Sequence, residues 1–219
     1  MTAAGVRLYL ASTSPARLST LRAAGIEPVV LPSEVDEDAA VAAAAPPSAA
    51  EMVQLLARLK AEAVVRRFAA TTPDGGPLDG FVLGCDSAFE LDGVSYGKPH
   101  LPEVARERWL LQRGRTGLLH SGHWLIDCRE GAAGETRGAV STSSVTFAGN
   151  VSEAEIDAYI ATGEPLRVAG AFTIDSLGAP FISSIEGDPH AIVGLSLAVL
   201  RELLIGFGVS WPTLWNIPR

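Results

Sequence analysis

The sequence predicts an α/β fold built on one mixed β-sheet. Apolar, strand-like runs and helical segments follow one another along the 219 residues. Two S-x-x-E capping boxes, Ser48–Glu51 and Ser152–Glu155, each open a helix. Asp92-Gly93 between two strand-like runs is a hairpin signal, which adds antiparallel pairing to the sheet. No repeat or linker divides the chain, so we expect a single domain over residues 1–219.

The first elements are a buried strand from Val6 to Ala11 and a helix that begins at Pro15. Ser14 suits the N-cap, Pro15 suits the first helical position, and Gly25 ends the helix. A second strand is predicted over residues 28–31. An acidic run follows over residues 34–38, and we expect the Ala-rich segment over residues 39–47 to be a flexible surface loop.

The remaining elements follow from apolar runs and turn residues. Helices are predicted over residues 48–70, 102–113, 152–163 and 192–205. Strands are predicted over residues 81–91, 94–96, 118–126, 136–147, 169–174 and 180–185.

Composition excludes several classes of protein. The net charge of −8 argues against a nucleic-acid binder, which usually carries a basic face. No run approaches the ~18 apolar residues of a membrane span, and the N-terminus lacks the features of a signal peptide. Cys85 and Cys128 are far apart without metal-ligand spacing, which favours reduced thiols and a cytoplasmic location.

The first strand-to-helix turn is a candidate anion site. It places Ser12 and Ser14 before a helix N-terminus, where free backbone N–H groups and the helix dipole attract negative charge. Arg17 in the first turn could bind a phosphate with its planar guanidinium. The alternative is an ordinary capped helix at the surface.

Carboxylates form a second candidate group. Asp86 lies inside an apolar run, where an unpaired carboxylate is costly and needs a metal, a cation or hydrogen bonds. The alternative is a structural aspartate bonded to nearby backbone. Asp36 and Glu37 are less specific, because acidic runs are usually solvated. Such oxygen ligands suit Mg²⁺ or Mn²⁺.

Two lysines are candidate partners for an anionic substrate. Lys98 follows the hairpin, and Lys60 lies on the long helix, where a solvent-facing role is the alternative. The stretch from Gly93 to Lys98 is not a P-loop, since it is one residue short and Pro99 replaces the required hydroxyl residue. The four histidines lack ligand spacing.

Taken in order, these segments resemble the Maf family of nucleoside triphosphate pyrophosphatases. The resemblance is carried by nine short stretches between residues 8 and 205. They are LASTSPAR (10–17), DE (36–37), LARLKA (56–61), GCDS (84–87), GKP (97–99), GEP (163–165), AGAF (169–172), IEGD (185–188) and VGL (193–195).

The resemblance implies an elongated mixed sheet flanked by helices, with two lobes around a cleft, often in a homodimer. It also implies clearance of nucleotides from the pool and a link to restraint of cell division. Members would cleave a nucleoside triphosphate at the α-phosphorus, releasing a nucleoside monophosphate and pyrophosphate.

The resemblance also assigns roles to residues. Asp86 matches the catalytic base or metal ligand, and Glu37 would hold the Mg²⁺ or Mn²⁺ ion with it or orient the attacking water. Lys60 and Lys98 would act in catalysis beside them. The implied substrate-binding residues are Ser12, Ser14, Arg17, Ser121 and Asp175.

The sequence departs from the family pattern at several of these stretches. Ala16 replaces the first of two arginines, Gly117 replaces a histidine and Val168 replaces a lysine, while Ser121 keeps a hydroxyl. Asp175 stands where the family often has glutamine. A carboxylate only accepts hydrogen bonds, so Asp175 would favour bases that offer N–H donors, unless it caps a turn or pairs with Arg167 instead.

Two other functions compete with this interpretation. One is a non-catalytic, nucleotide-binding regulator of cell division, which the loss of an arginine at Ala16 and of a histidine at Gly117 favours. The other is a phosphatase that releases single phosphates. Retention of Asp86, Lys60 and Lys98 opposes the first.

Overall fold

The protein is built on one seven-stranded mixed sheet. The computed structural model describes residues 5–129 and 131–216. The strands are β1 (Leu8–Leu10), β2 (Val29–Val30), β3 (Phe81–Leu91), β4 (Val94–Tyr96), β5 (Thr116–Asp127), β6 (Thr136–Phe147) and β7 (Ile182–Glu186). Their order is β2-β1-β3-β5-β6-β7, with β4 paired to β3. β1 pairs in parallel with β2 and β3, and the other pairs are antiparallel, which confirms the predicted mixed sheet.

Helices cover both faces of the sheet. They are α1 (Pro15–Ala23), α2 (Glu37–Ala44), α3 (Ala49–Phe68), α4 (Pro102–Gln112), α5 (Glu153–Ala161), α6 (Pro189–Val193) and α7 (Leu197–Gly206). The predicted caps are present: Ser14 caps α1, Ser48 caps α3, and Ser152 with Glu155 forms a complete capping box on α5. The first four residues, on which the signal-peptide prediction partly rests, lie outside the described ranges.

The Ala-rich segment is a helix, so the prediction of a flexible loop there was wrong. Asp36 caps α2 by accepting a hydrogen bond from the backbone N–H of Ala39 at 3.0 Å. Alanine has the highest helix propensity, and acidic residues in the first turn interact favourably with the helix dipole. Ala45 adopts a left-handed conformation and ends the helix. The consequence is that Glu37 lies on a helix.

Two further predictions from the C-terminal half were also wrong. Residues 169–174 do not form a strand, because Gly170 and Ala171 both have positive φ angles and turn the chain. The single helix predicted over residues 192–205 is two helices, α6 and α7. Gly194 has a φ of 119° and ends α6, and Ser196 then caps α7.

Helix α3 lies very close to the sheet because glycines face it. A β-carbon at Gly84 would collide with the backbone of Ala57 and Ala61, and one at Gly122 would collide with the backbone of Val53. This approach brings one face of α3 down onto β3 and β5. It is the contact that positions Lys60.

The opposite face of the sheet carries two apolar cores. One contains Leu83 of β3 and Leu125 of β5 with residues of α1 and α7, and the other contains Phe89 and Leu119 with residues of α4 and α5. Between them lies a row of serines, because Ser87, Ser121 and Ser141 are direct neighbours on β3, β5 and β6. This polar row separates the two lobes that the family resemblance implies. No helix among the described residues is long and apolar enough to cross a membrane.

Candidate functional site

The candidate site lies at a gap along one edge of β3. Strand β1 pairs with β3 only as far as Leu10 opposite Leu83, and β4 pairs with β3 only over residues 89–91, from Phe89 opposite Tyr96 onward. Residues 84–88 therefore have no strand neighbour on that edge in the described part of the chain. Helix α1 begins beside the gap, since Arg17 in its first turn donates to Ser87 Oγ at 3.2 Å. The first N–H groups of a helix have no partner within the helix.

A lysine joins two carboxylates at this gap. The Lys60 ammonium lies 2.7 Å from Oδ1 of Asp86 and 2.8 Å from Oε1 of Glu37. Asp86 and Lys60 are each 7% exposed, whereas the side chain of Glu37 is 49% exposed. The three groups therefore form a partly open charge cluster with its buried end at β3 and its open end on α2.

Burial dominates the electrostatics of Asp86. Removal from water raises the pKa of its carboxyl group, whereas the positive charges of Lys60 and Arg17 lower it in part. The net direction is upward. A carboxylate with a raised pKa is better suited to accept a proton near neutral pH than an ordinary exposed aspartate.

The same carboxylates fit a divalent cation. Their oxygens already converge on one ammonium group, so they are close enough to share a cation. Hard oxygen donors of this type suit Mg²⁺ or Mn²⁺, which often bind through one or two carboxylates and complete their shell with substrate phosphate and water. No cluster of three or more histidine, cysteine or acidic residues with metal-site geometry occurs within residues 5–129 and 131–216.

Arg17 is held by three contacts on the other side of β3. Its Nε donates to the carbonyl oxygen of Gly194 at 2.9 Å, Nη1 to Ser12 Oγ at 3.1 Å and Nη2 to Ser87 Oγ at 3.2 Å. Only 9% of the residue is exposed. The guanidinium is therefore fixed at the boundary of the two lobes.

Ser121 extends this network across the sheet. Its Oγ lies 2.8 Å from Ser87 Oγ and donates to the carbonyl oxygen of Ala191 at 2.7 Å. Ser14 has a local role, since its Oγ accepts the long 3.5 Å bond from the Arg17 N–H that caps α1. The hydroxyl residues thus hold α1, α6 and the central strands together at the gap.

Comparison with known proteins assigns the chain to a family. The family model described as Maf-like protein matches residues 7–207. The chain belongs to the Maf-like protein family. Proteins named nucleoside triphosphate pyrophosphatase are similar to it over nearly their whole length. The protein from Leifsonia xyli is 65% identical, with 96% of this chain and 97% of that protein covered. Those from Saccharopolyspora erythraea and Nocardia farcinica are 48% and 51% identical, with 97% and 96% of this chain and 99% and 97% of theirs covered.

A solved structure is also similar at a much lower level. The Staphylococcus aureus Ham1 protein aligns with a TM-score of 0.39 and 17% identity, over 65% of this chain and 72% of that one. At that level the similarity supports no conclusion about this Maf-like protein.

Two of the predicted site residues lie apart from these clusters. Lys98 and Asp175 are exposed, and neither makes a hydrogen bond or ion pair within the described residues, so Asp175 forms no ion pair with Arg167 there. Lys98 follows β4 at the rim of the gap, and Asp175 lies in a loop of the second lobe. Their roles, like those of the other site residues, stay predictions.

Sequence reasoning missed three residues that organise this Maf-like site. Ser87 follows Asp86 directly, and strand alternation would have placed it on the opposite face from Asp86. His123 accepts a hydrogen bond at Nε2 from the backbone N–H of Ser196 at 2.8 Å, and burial lowers its pKa to about 4, which keeps it neutral. The Glu164 carboxylate accepts hydrogen bonds from several residues of the loop over residues 173–178, and no sequence pattern predicts such a role.

Proposed function

We propose that this Maf-like protein hydrolyses nucleoside triphosphates to nucleoside monophosphate and pyrophosphate at the gap in β3. The observation that carries the proposal is the convergence of Asp86 and Glu37 on Lys60 beside a helix N-terminus. Phosphoryl transfer demands mainly positioning and charge stabilisation, which these groups are suited to provide. The names of the similar proteins support the same reaction.

The residues of the cluster would divide the work. The triphosphate would bind at the N-terminus of α1. Its negative charge would attract the ammonium group of Lys60 and, from the rim of the gap, that of Lys98. A water molecule attacks the α-phosphorus, the bond to the bridging oxygen breaks, and pyrophosphate leaves. Asp86 would accept a proton from the water, a role for which its raised pKa is favourable.

Glu37 and Asp86 would also hold a Mg²⁺ or Mn²⁺ ion. When bound, the ion would supply positive charge against the charge that develops on the phosphate oxygens. Arg17 would act mainly by fixing the walls of the gap, since three protein groups already occupy its guanidinium.

The decisive experiment is a panel of standard and modified nucleoside triphosphates with Mg²⁺ or Mn²⁺, in which chromatography separates the products. We expect pyrophosphate and monophosphate, no activity after chelation, and recovery when either metal is restored. Orthophosphate as the first product would indicate a phosphatase. Binding of triphosphates without turnover would indicate the non-catalytic regulator, and full activity after exhaustive metal removal would contradict the proposed metal.

The proposal extends to the setting of the reaction. The family resemblance supports clearance of nucleotides from the pool and a link to restraint of cell division. It also supports a homodimer, which light scattering would test directly. Cys85 and Cys128 are both free and buried, which is compatible with the reducing cytoplasm that we propose.

A further inference from the structure

Lys60 lies between two carboxylates whose oxygens suit a divalent cation. Its Nζ is 2.7 Å from Oδ1 of Asp86 and 2.8 Å from Oε1 of Glu37. Because both oxygens contact the same nitrogen atom, an ion shared by the two carboxylates would lie where this ammonium group lies. The Lys60 ammonium and a divalent ion therefore compete for one position.

The charges of the cluster lead to the same conclusion. When all three groups are ionised, the ammonium of Lys60 balances one of the two carboxylates. A divalent ion added beside it would meet a positive charge as well as the two negative ones. Lys60 and Asp86 are each 7% exposed, so little water separates these charges and repulsion between cations is strong. With the ammonium turned away, both carboxylates are free to bind the ion.

The two cations near Asp86 differ in how firmly they are held. Arg17 donates hydrogen bonds to three protein oxygen atoms, so its guanidinium is fixed. Lys60 carries its charge on a flexible four-carbon chain. One of its partners, Glu37, has a side chain that is 49% exposed and lies in the first turn of the short helix α2. Lys60 is therefore the cation that can leave Asp86.

The backbone that carries Lys60 is fixed against the sheet. A β-carbon at Gly84 would lie 2.0 Å from the carbonyl oxygen of Ala57 and 2.9 Å from the nitrogen of Ala61, so this part of α3 packs directly on β3. A movement of the ammonium must therefore come from the side chain alone. Asp86 belongs to the stretch of β3 at the gap, so the ammonium starts next to the proposed triphosphate site.

We propose that Lys60 is an internal cation that closes the proposed metal site until a nucleotide draws it away. The negative charge of a bound triphosphate attracts the ammonium, and the two carboxylates then become available to Mg²⁺ or Mn²⁺. Metal and nucleotide bind together, and each binds weakly alone, because the coupling between two ligands is reciprocal. This inference rests on the proposed function, since the nucleotide is the group that moves Lys60.

Binding of Mn²⁺ without nucleotide tests the proposal. Electron paramagnetic resonance measures free Mn²⁺, so the titration requires no enzymatic activity. We expect weak binding by the wild type and roughly tenfold to thousandfold tighter binding by Lys60→Met, the range by which one adjacent charge changes proton binding to a carboxylate. Loss of Lys60 also raises the pKa of Asp86, so the titration is made at about pH 8, where the carboxylates are ionised.

Three further variants serve as controls. Lys60→Arg keeps the positive charge and should bind Mn²⁺ as weakly as the wild type. Lys98→Met removes an exposed lysine, and a gain as large as that of Lys60→Met would indicate a general effect of charge and contradict the proposal. Combining Lys60→Met with Asp86→Asn should abolish the gain, because one of the two ligands is then lost. If Lys60→Met does not fold, Lys60→Gln repeats the test, since its amide can still donate to Asp86.

Thermal unfolding gives a second measurement. A ligand of the folded state stabilises it according to its affinity, so Mn²⁺ should raise the melting temperature of Lys60→Met and leave that of the wild type almost unchanged. Mn²⁺ together with a non-hydrolysable triphosphate should stabilise the wild type by more than their separate effects combined. This excess should be smaller in Lys60→Met, where the carboxylates are already open.

The results distinguish failure of this inference from failure of the proposed function. If the wild type hydrolyses triphosphates but binds Mn²⁺ tightly without nucleotide, the inference is overturned and the proposed function stands. The same conclusion follows if Lys60→Met binds Mn²⁺ no more tightly than the wild type. If no triphosphate is hydrolysed, the proposed function fails and the inference fails with it.

Discussion

At the scale of single residues, Asp86 combines burial with an ionic partner. Replacing it with asparagine keeps the shape and one hydrogen-bond acceptor for Lys60 but removes the proton acceptor and one metal ligand. We expect Asp86→Asn to lower kcat by roughly 10²–10⁴, the range for losing one acid–base group. Steady-state kinetics would measure the loss, and circular dichroism would check the fold.

The matched control is Asp127→Asn. Asp127 also lies on a strand of the sheet, but it pairs with Arg129 at the far end of β5, away from the gap. The Asp127→Asn variant should be somewhat less stable than the wild type and should keep its activity. A folded Asp86→Asn enzyme with nearly normal turnover would remove Asp86 from the mechanism.

Lys60 should set the pH at which Asp86 works. Burial raises the pKa of Asp86 and Lys60 lowers it, so Lys60→Met should raise the pKa further. Because the ionised carboxylate is the active form, activity falls as pH drops through this pKa. We expect the acidic limb of the kcat/KM profile to move upward by about 1–3 pH units, the usual effect of one nearby opposite charge.

Lys98→Met provides the comparison for Lys60. Lys98 is exposed and makes no contact with Asp86, so its loss should weaken catalysis without moving the acidic limb. If both lysine variants keep wild-type activity, neither lysine acts in catalysis and the proposed charge scheme is wrong.

Asp175 allows a test of base preference. Asp175→Gln adds a donor where the wild type only accepts, so bases with acceptor edges should gain relative to bases with N–H donors. The readout is kcat/KM across the triphosphate panel. Asp74→Gln, in an exposed loop beyond α3, is the control. A uniform change across all bases would place Asp175 outside the base pocket.

At the scale of elements, helix α2 is the least secure part of the site. It has eight residues, and it carries Glu37 in its first turn. Asp36→Ala removes the capping bond to Ala39, which should cost about 0.5–2 kcal/mol of helix stability. Because short helices are marginal, we expect fraying of α2, a looser Glu37 and a higher metal concentration for half-maximal activity.

Ser152→Ala is the control for this change. It removes a comparable cap from α5 in the second lobe, so the melting temperature should fall by a similar amount without a change in metal requirement. Equal metal dependence in wild type and Asp36→Ala would show that Glu37 does not need α2.

At the scale of the whole molecule, the site depends on how closely α3 lies on the sheet. Gly84→Ala would place a methyl group against the backbone of Ala57. Overpacking of this kind typically costs about 1–3 kcal/mol, and a shift of α3 would lengthen the Lys60–Asp86 contact. We expect a lower melting temperature together with lost activity.

Gly76→Ala is the matched control, because a β-carbon there meets no atom within 4 Å. It should leave both stability and activity near wild type. If Gly84→Ala unfolds more easily but keeps full activity below its melting temperature, then the contact between α3 and β3 is not needed for catalysis.

Most of the helices and strands could be predicted from local sequence, and so could the residue types of the candidate site. Apolar periodicity located β3 and β6, and the capping residues Ser14, Ser48 and Ser152 marked helix starts, because these signals act within a few residues. The same local rules failed at α2. There the low complexity of the stretch favoured a loop, although alanine favours helices and Asp36 suits a helix N-cap. They failed again at Gly170 and Gly194, where positive φ angles turn or end an apolar run.

Which of these residues lie together is a property of the tertiary structure. Glu37, Lys60 and Asp86 lie on α2, α3 and β3, and they meet because Gly84 and Gly122 let α3 approach the sheet. The gap in β3 exists because β1 ends before β4 begins, which is a matter of strand register. Glu164 collects its donors from α5 and a loop that bends back. Local sequence fixes local backbone preference, whereas contacts between distant residues depend on how the elements pack.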